Sequence, residues 1–211
     1  MSKCADINHI EYILSLDSDD PELKNYLHLF EPTGCIILIS GNKNLVQATN
    51  KGAEVTKGEI LILVSDDFEC PKDWDLAIMG AFVGNSCSVL KTFDGTQGWI
   101  VTLPVMDRAY YLEQGYFYFP EYFHMFCDTD MTHKADIEGK LIVRNDLIFK
   151  HNHYSVSGAR RDAISKKADS TWDQGERVYL RRVREKFGLS GVNVMNFNHQ
   201  PHKDWLNAKM R

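Results

Sequence analysis

The chain has 211 residues, 44% hydrophobic and 25% charged, enough for one sizeable core, and its net charge of −5 argues against nucleic acid as the main partner. Five scattered cysteines (Cys4, Cys35, Cys70, Cys87, Cys127) form no C-x-x-C pair, which argues against a disulfide framework or a zinc cluster and for a reducing compartment. No apolar run approaches the ~20 residues of a membrane span, and Met1-Ser2-Lys3-Cys4-Ala5-Asp6 shows no secretory pattern, so a cytoplasmic location is expected.

Ile10 to Leu16 reads as a strand ending at Asp17-Ser18-Asp19-Asp20-Pro21, and Pro21 to Phe30 as a helix. Cys35 to Ile39 is a second strand. Asn44 to Val55 is a helix with Leu45, Ala48 and Gly52 on its packed side. Ile60 to Val64 is a third strand, and Pro71 to Phe82 a helix with Trp74, Ile78 and Phe82 at spacings of four. This alternation implies right-handed crossovers and a mostly parallel sheet, which would bring Asp17 and Asp66/Asp67 to one edge. Further on, Val89 to Phe93 and Trp99 to Leu103 read as strands around Asp94-Gly95-Thr96, and Val105 to Gln114 as a helix. An aromatic-rich segment from Tyr110 to Phe126 packs under a loop or walls a sugar site. Phe126 to Ile137 reads as a helix stopped at Gly139, Leu141 to Val143 and Leu147 to Phe149 as short strands, and Ala159 to Ala168 and Trp172 to Phe187 as helices.

Three clusters could carry chemistry. The apolar run Ile60 to Val64 ends in Ser65-Asp66-Asp67-Phe68-Glu69. Adjacent carboxylates repel unless a cation or donors compensate, so this strand end suits a divalent metal with a phosphate ligand, or else a polar turn opening a helix. Cys127-Asp128-Thr129-Asp130 begins a helix, where acids cap or serve as a general base. His151-Asn152-His153 sets two imidazoles on one face of an extended segment, as metal ligands or as surface residues. Arg177, Arg181, Arg182, Arg184 and Lys186 read as a solvated helix face, and His199 and His202 as tail residues. P-loop, G-x-G-x-x-G and G-x-S-x-G patterns are absent, which weighs against P-loop NTPases, classical dinucleotide enzymes and serine hydrolases.

In this order the motifs resemble family 2 glycosyltransferases, inverting enzymes of the GT-A fold, over most of residues 10 to 153. Glu11 to Asp17 with Asp19-Asp20-Pro21 is similar to the family's second strand, and Ala48-Thr49-Asn50-Lys51-Gly52 with Lys57-Gly58-Glu59-Ile60 to its A-x-N-x-G … A-x-G-E-I stretch. Ser65-Asp66-Asp67 falls at the D-x-D site, Pro71 and Trp74 at P-x-x-W, and Cys127 to Met131 through Gly139 at E-D-x-D-L … G. The metal motif reads V-S-D-D, the Glu of the Glu-Asp pair is Cys127, and the family's first nucleotide-binding strand is expected to be missing. The resemblance implies an α/β, GT-A-like (Rossmann-like) mostly parallel central sheet flanked by helices, with a smaller mixed C-terminal part. The single domain 1–211 would comprise a nucleotide-binding half (about 1–86), an acceptor half (about 87–155) and C-terminal helices (about 156–211).

For function, the resemblance implies transfer of a sugar from a UDP- or GDP-sugar to a glycan or other hydroxyl acceptor, with inversion. It makes Asp128 the base with Asp130 as the alternative. Manganese or magnesium would sit on Asp66 and Asp67 with His151 or His153. Nucleotide-sugar contacts would come from Asp17, Asn50 and Asp66, and from Asp94 and Trp99 by their place at a turn. A homo-oligomer is possible. The rival readings are a non-catalytic nucleotide- or glycan-binding relative and a nucleotidyltransferase.

Overall fold

The structure, a computed structural model, describes residues 3–96, 98–153 and 163–210. β1 (Ile13–Asp17) and β2 (Ile36–Ser40) lie parallel, Ile13 beside Ile36 and Asp17 beside Ser40, joined by α1 (Leu23–Phe30). α2 (Leu45–Val55) starts where Asn44 accepts a hydrogen bond from the Gln47 amide. It buries Val46, Thr49 and Ala53. The expected stripe of Leu45, Ala48 and Gly52 is one position off, and those residues line a groove instead.

β3 (Ile60–Ile62) leads through β4 (Phe68–Glu69) to α3 (Trp74–Phe82), and β5 (Val89–Phe93) follows as expected. The Trp99–Leu103 strand is not formed: Val101 and Leu103 are buried, but the Val101 amide donates to Thr132 Oγ1 and the Gly98 carbonyl accepts from Lys91 Nζ. Side chains thus take the bonds a ladder would have made. The strand is instead β6 (Val105–Asp107), where the sequence reading placed helix; Asp107 then caps the shorter α4 (Arg108–Gln114) by accepting from the Tyr110 amide. α5 (Cys127–Ile137) is buried over most of its length.

The expected two short strands are one, β7 (Leu141–Ile148), with an irregularity between Thr92 and Phe93 of its partner. β8 (Lys150–His151) pairs antiparallel with β4. The larger sheet runs β3-β6-β5-β7: β5 and β7 are parallel, and β6 is antiparallel to both its neighbours. Parallel pairing therefore holds in β1–β2 and β5–β7, with β6 inserted in the opposite sense. α6 (Ala163–Asp169), α7 (Trp172–Arg184) and α8 (Gln200–Lys209) complete the chain. The expected start of α6 at Ala159 lies outside the described residues.

One apolar cluster gathers around α5, from Val46 and Tyr110 to Tyr179 and Leu206; a second joins α3 to the sheet through Trp74, Ile78, Leu90 and Phe149. Among the described residues no helix is long and apolar enough to cross a membrane.

Candidate active site

The two-residue ladder of β4 and β8 sets Phe68 opposite His151 and Glu69 opposite Lys150. Its geometry delivers Asp67 to the histidines. The Asn152 amide donates to the Asp67 carbonyl (2.9 Å), and His151 Nε2 lies 2.9 Å from Asp67 Oδ2. The Phe68 ring stacks on His151 with centroids 4.2 Å apart. The His151 amide donates to the Asp94 carbonyl (2.9 Å), drawing in the end of β5. The His151 and His153 rings are 5.2 Å apart, on one face as the spacing predicts. Asp67, Asp94, His151 and His153, from three remote stretches, thus meet. Asp66 is exposed on the turn beside Asp67.

The electrostatics agree. Burial pushes the Asp67 carboxyl up, but the Ser65 hydroxyl and the His151 charge and hydrogen bond outweigh it and hold the group below the usual carboxylate range. Burial, then His151, pulls the His153 imidazole down against the opposing pull of Asp67 and Asp94, which favours a neutral ring with a lone pair to offer. Asp94 is buried, and its Oδ1 accepts from the Thr96 amide (2.7 Å) and hydroxyl (3.1 Å), fixing the turn beside the cluster.

Carboxylate plus imidazole is a donor set that suits manganese. Among the described residues no three such groups already stand gathered for a cation. The Asp67–His151 hydrogen bond occupies the atoms a cation would take, so metal entry requires it to open.

Asp17 ends β1 at its rim, where Asn42 Nδ2 donates to its Oδ1 (2.9 Å) and Ser40 Oγ donates to Asn42 Oδ1 (2.8 Å). Asp128 lies in the first turn of α5 and accepts from the Thr129 amide at 2.7 Å. Burial pushes its carboxyl up against that bond. Among the described residues neither Asp17 nor Asp128 hydrogen-bonds to the Asp67 cluster.

Several expected site residues are engaged elsewhere. Asp130 is 3% exposed and takes Arg182 Nε (2.9 Å), Arg182 Nη2 (3.1 Å) and the Tyr122 hydroxyl (3.0 Å). It anchors α7 on α5. Arg182 is correspondingly buried, not part of a solvated face. Burial pulls its guanidinium down, but the bonds and charge of Asp130 more than reverse this. The signal was its place at i+3 from Tyr179 and beside Val183, on the apolar stripe of α7. Asn50 Oδ1 accepts from the Phe117 (3.0 Å) and Tyr118 (2.9 Å) amides while its Nδ2 donates to the Tyr118 carbonyl (2.8 Å), clamping the aromatic segment to α2.

Trp99 stacks on His199 (4.5 Å) and lies 4.3 Å from the His202 ring. Those histidines are therefore packed residues, not tail. The Val194 carbonyl can only accept, so His133 Nε2 carries its proton, Tyr179 donates to His133 Nδ1 (2.6 Å) and His202 Nε2 donates to Tyr179 (2.7 Å).

Residues 4–132 match the family model described as Glycosyl transferase family 2. Comparison with curated proteins gives no match. Among solved structures, S. aureus TarS is similar with a TM-score of 0.58 and 12% identity, over 99% of this chain and 38% of its own. The mannosyltransferase PcManGT from Pyrobaculum calidifontis, solved in complex with GDP-Man and Mn2+, gives 0.58 and 12% over 95% of this chain and 59% of its own. TarS 1–349 in complex with UDP-GlcNAc gives 0.56 and 13% over 99% and 65%. The chain thus spans less than two thirds of the length of these solved chains, and at such identities the likeness shows the fold. With more than half of its residues matched by the family model on a GT-A-like α/β fold, the chain belongs to glycosyltransferase family 2.

Proposed function

We propose that this protein transfers a sugar from a UDP- or GDP-sugar to a hydroxyl of a glycan or similar acceptor, with inversion at the anomeric carbon. The observation that carries this reading is the convergence of Asp67, His151 and His153 beside Asp94. The bound GDP-Man with Mn2+ in PcManGT and UDP-GlcNAc in TarS support the donor class. A divalent cation, manganese or magnesium, on Asp67 and His151 or His153 with Asp66 alongside, would supply positive charge against the leaving diphosphate. Asp17 meets the nucleotide from the rim of β1, oriented by Asn42. Asn50 acts indirectly, by holding the aromatic segment in place.

Asp128 is the base. Burial raises its proton affinity toward the working pH, where a general base is most effective. The acceptor oxygen bonds to the anomeric carbon as its proton passes to Asp128, and the diphosphate oxygen leaves opposite with the former bonding pair.

Calorimetry with UDP-GlcNAc and GDP-mannose, with and without manganese, paired with a product assay, tests the reading. Donor binding should require manganese and be lost in Asp67→Asn, whereas Asp128→Asn should bind donor and form no product. Donor binding indifferent to Asp67→Asn, or unchanged turnover in Asp128→Asn, refutes the assignment.

A further inference from the structure

On β5, Val89 packs toward α5 and Leu90 toward α3, so the strand period of two carries Lys91 to the α5 side. There it lines a cavity of about 210 Å³ between α5, β7 and the loop before α8. Buried Lys91, His133 and Phe197 form its floor, and exposed Gly98, Asn145 and Asn198 its rim. None of Asp67, Asp128, His151 or His153 lines it.

Lys91 is 4% exposed, and its Nζ donates to two neutral oxygens, the Gly98 carbonyl (2.9 Å) and Asn145 Oδ1 (2.7 Å). Among the described residues it forms no ion pair. A buried ammonium is costly unless a counter-charge answers it. Burial pulls this one down against the charge of Asp94. An ammonium has three protons, so one is left for a ligand. Because Lys91 can only donate, Asn145 turns its Oδ1 to it and keeps its Nδ2 as a second donor. His199 Nδ1 accepts from the His202 amide (3.2 Å), so its Nε2 carries the proton and is a third donor lining the cavity. Asp136 lines it too: its Oδ2 accepts from the Asn198 amide (3.1 Å), and among the described residues its Oδ1 is left as an acceptor.

A ligand carboxylate answers the ammonium and takes the other donors on its two oxygens. A phosphate would bring more negative charge beside Asp136. An amino acid would bring three ammonium protons to one remaining Asp136 oxygen, whereas a hydroxyl asks for one. The space equals about seven waters at ~30 Å³ each, enough for one sugar ring, whose C–H face meets the apolar side chains of Leu141 and Val143. We propose that this cavity binds a sugar acid, its carboxylate on Lys91, Asn145 and His199 and a ring hydroxyl on Asp136. This stands independently of the transfer reaction.

The probe is methyl β-D-glucuronide, titrated into the full chain without nucleotide sugar or metal and followed by amide chemical shifts. It should bind saturably and shift the Gly98, Asn145 and Asn198 amides. Methyl β-D-glucoside, with a hydroxymethyl group for the carboxylate, and acetate, with no ring, should each bind roughly tenfold more weakly or worse. Free glucuronate distinguishes the sources: binding as tight as the glycoside points to a soluble sugar acid, and weaker binding to the end of a glycan. Asn145→Asp, at an exposed rim position, sets a carboxylate against Lys91 and supplies the counter-charge itself. It should leave the circular dichroism spectrum unchanged and weaken glucuronide binding by roughly tenfold or more, as should Lys91→Met. Each of four results overturns the proposal: no saturable binding up to about 20 mM, equal binding of the glucoside, equal binding of acetate, which would make this an anion site only, or undiminished binding by folded Asn145→Asp.

Discussion

Removing Arg182 should be among the most damaging single changes to this fold. Asp130 and Arg182 are 3% and 5% exposed and are joined by two hydrogen bonds of 2.9 and 3.1 Å. Arg182→Leu leaves the carboxylate inside the protein with, among the described residues, the Tyr122 hydroxyl as its remaining hydrogen-bond partner. Orphaning one member of a buried ion pair costs about 3–5 kcal/mol. The guanidinium also lies 3.8 Å from the centre of the Phe119 ring, a contact contributing about 0.5–2 kcal/mol more. For a chain of this size each kcal/mol moves the melting midpoint by roughly 2–4 °C, so the combined loss of about 3.5–7 kcal/mol predicts a fall of about 7–28 °C. Thermal unfolding read by tryptophan fluorescence measures the fall, and urea unfolding the free-energy loss, because Trp172 and Trp205 pack against Phe126. The double variant Asp130→Leu with Arg182→Leu should be more stable than Arg182→Leu, since no charge is then left unpaired. A loss below about 1 kcal/mol in Arg182→Leu, or a double variant whose cost equals the sum of the singles, refutes the reasoning.

Asp128→Asn should stabilise the protein at neutral pH. With a raised folded-state value, the folded chain binds the proton more tightly, so stability declines as pH climbs from the ordinary carboxylate range through the raised value; asparagine removes that decline, and a variant no more stable at pH 7 than at pH 3 relative to wild type contradicts it. Burial, then His133 and His199, push His202 down to about 4, against about 6.5 unfolded. The unfolded chain therefore binds more protons in that interval, and stability should fall by roughly 3 kcal/mol as pH drops from about 6.5 to 4. His202→Phe should flatten this part of the profile, and an unchanged slope would count against it. Gly175→Ala would set a Cβ 2.3 Å from the Met125 carbonyl oxygen and 2.9 Å from its carbon. The backbone must shift, so despite better helix propensity a net loss of about 1–3 kcal/mol by thermal unfolding is expected, and a neutral or stabilised variant would show that α7 can move.

Elements whose signal is a run or a cap were legible in the sequence: β5 from its apolar residues, α2 from Asn44, and α5 up to the turn before Gly139. The stretch from Trp99 to Asp107 was misread because apolar alternation says a backbone is extended, not what bonds it. The side chains of Lys91 on β5 and Thr132 on α5 take those bonds in place of a strand ladder. The C-terminal helix was missed because its buried residues are chiefly His202 and Leu206, and an imidazole does not register as core. At the site, the residue types pointed to the Asp67 and histidine cluster. The device that joins them, a ladder of two residue pairs between β4 and β8, is too short to leave any periodicity.

Three buried aspartates are answered by what the chain itself supplies, and the half-buried Asp128 is not. Asp107 accepts from the Cys87, Ser88 and Tyr110 amides, Asp75 from the Ala5 and Asp6 amides, and Asp130 from Arg182 and Tyr122. Each is answered by groups from other elements, and each ties those elements together. Asp128 differs. Two residues before Asp130 on the same helix, it points some 200° away around the axis, and among the described residues its side-chain bonds come from its neighbour Thr129. A carboxyl kept in a partly desolvated place without such compensation costs stability and contributes nothing to packing that asparagine would not. That cost is what a proton acceptor for a substrate hydroxyl requires, and it is the argument for proposing Asp128 rather than Asp130 as the base.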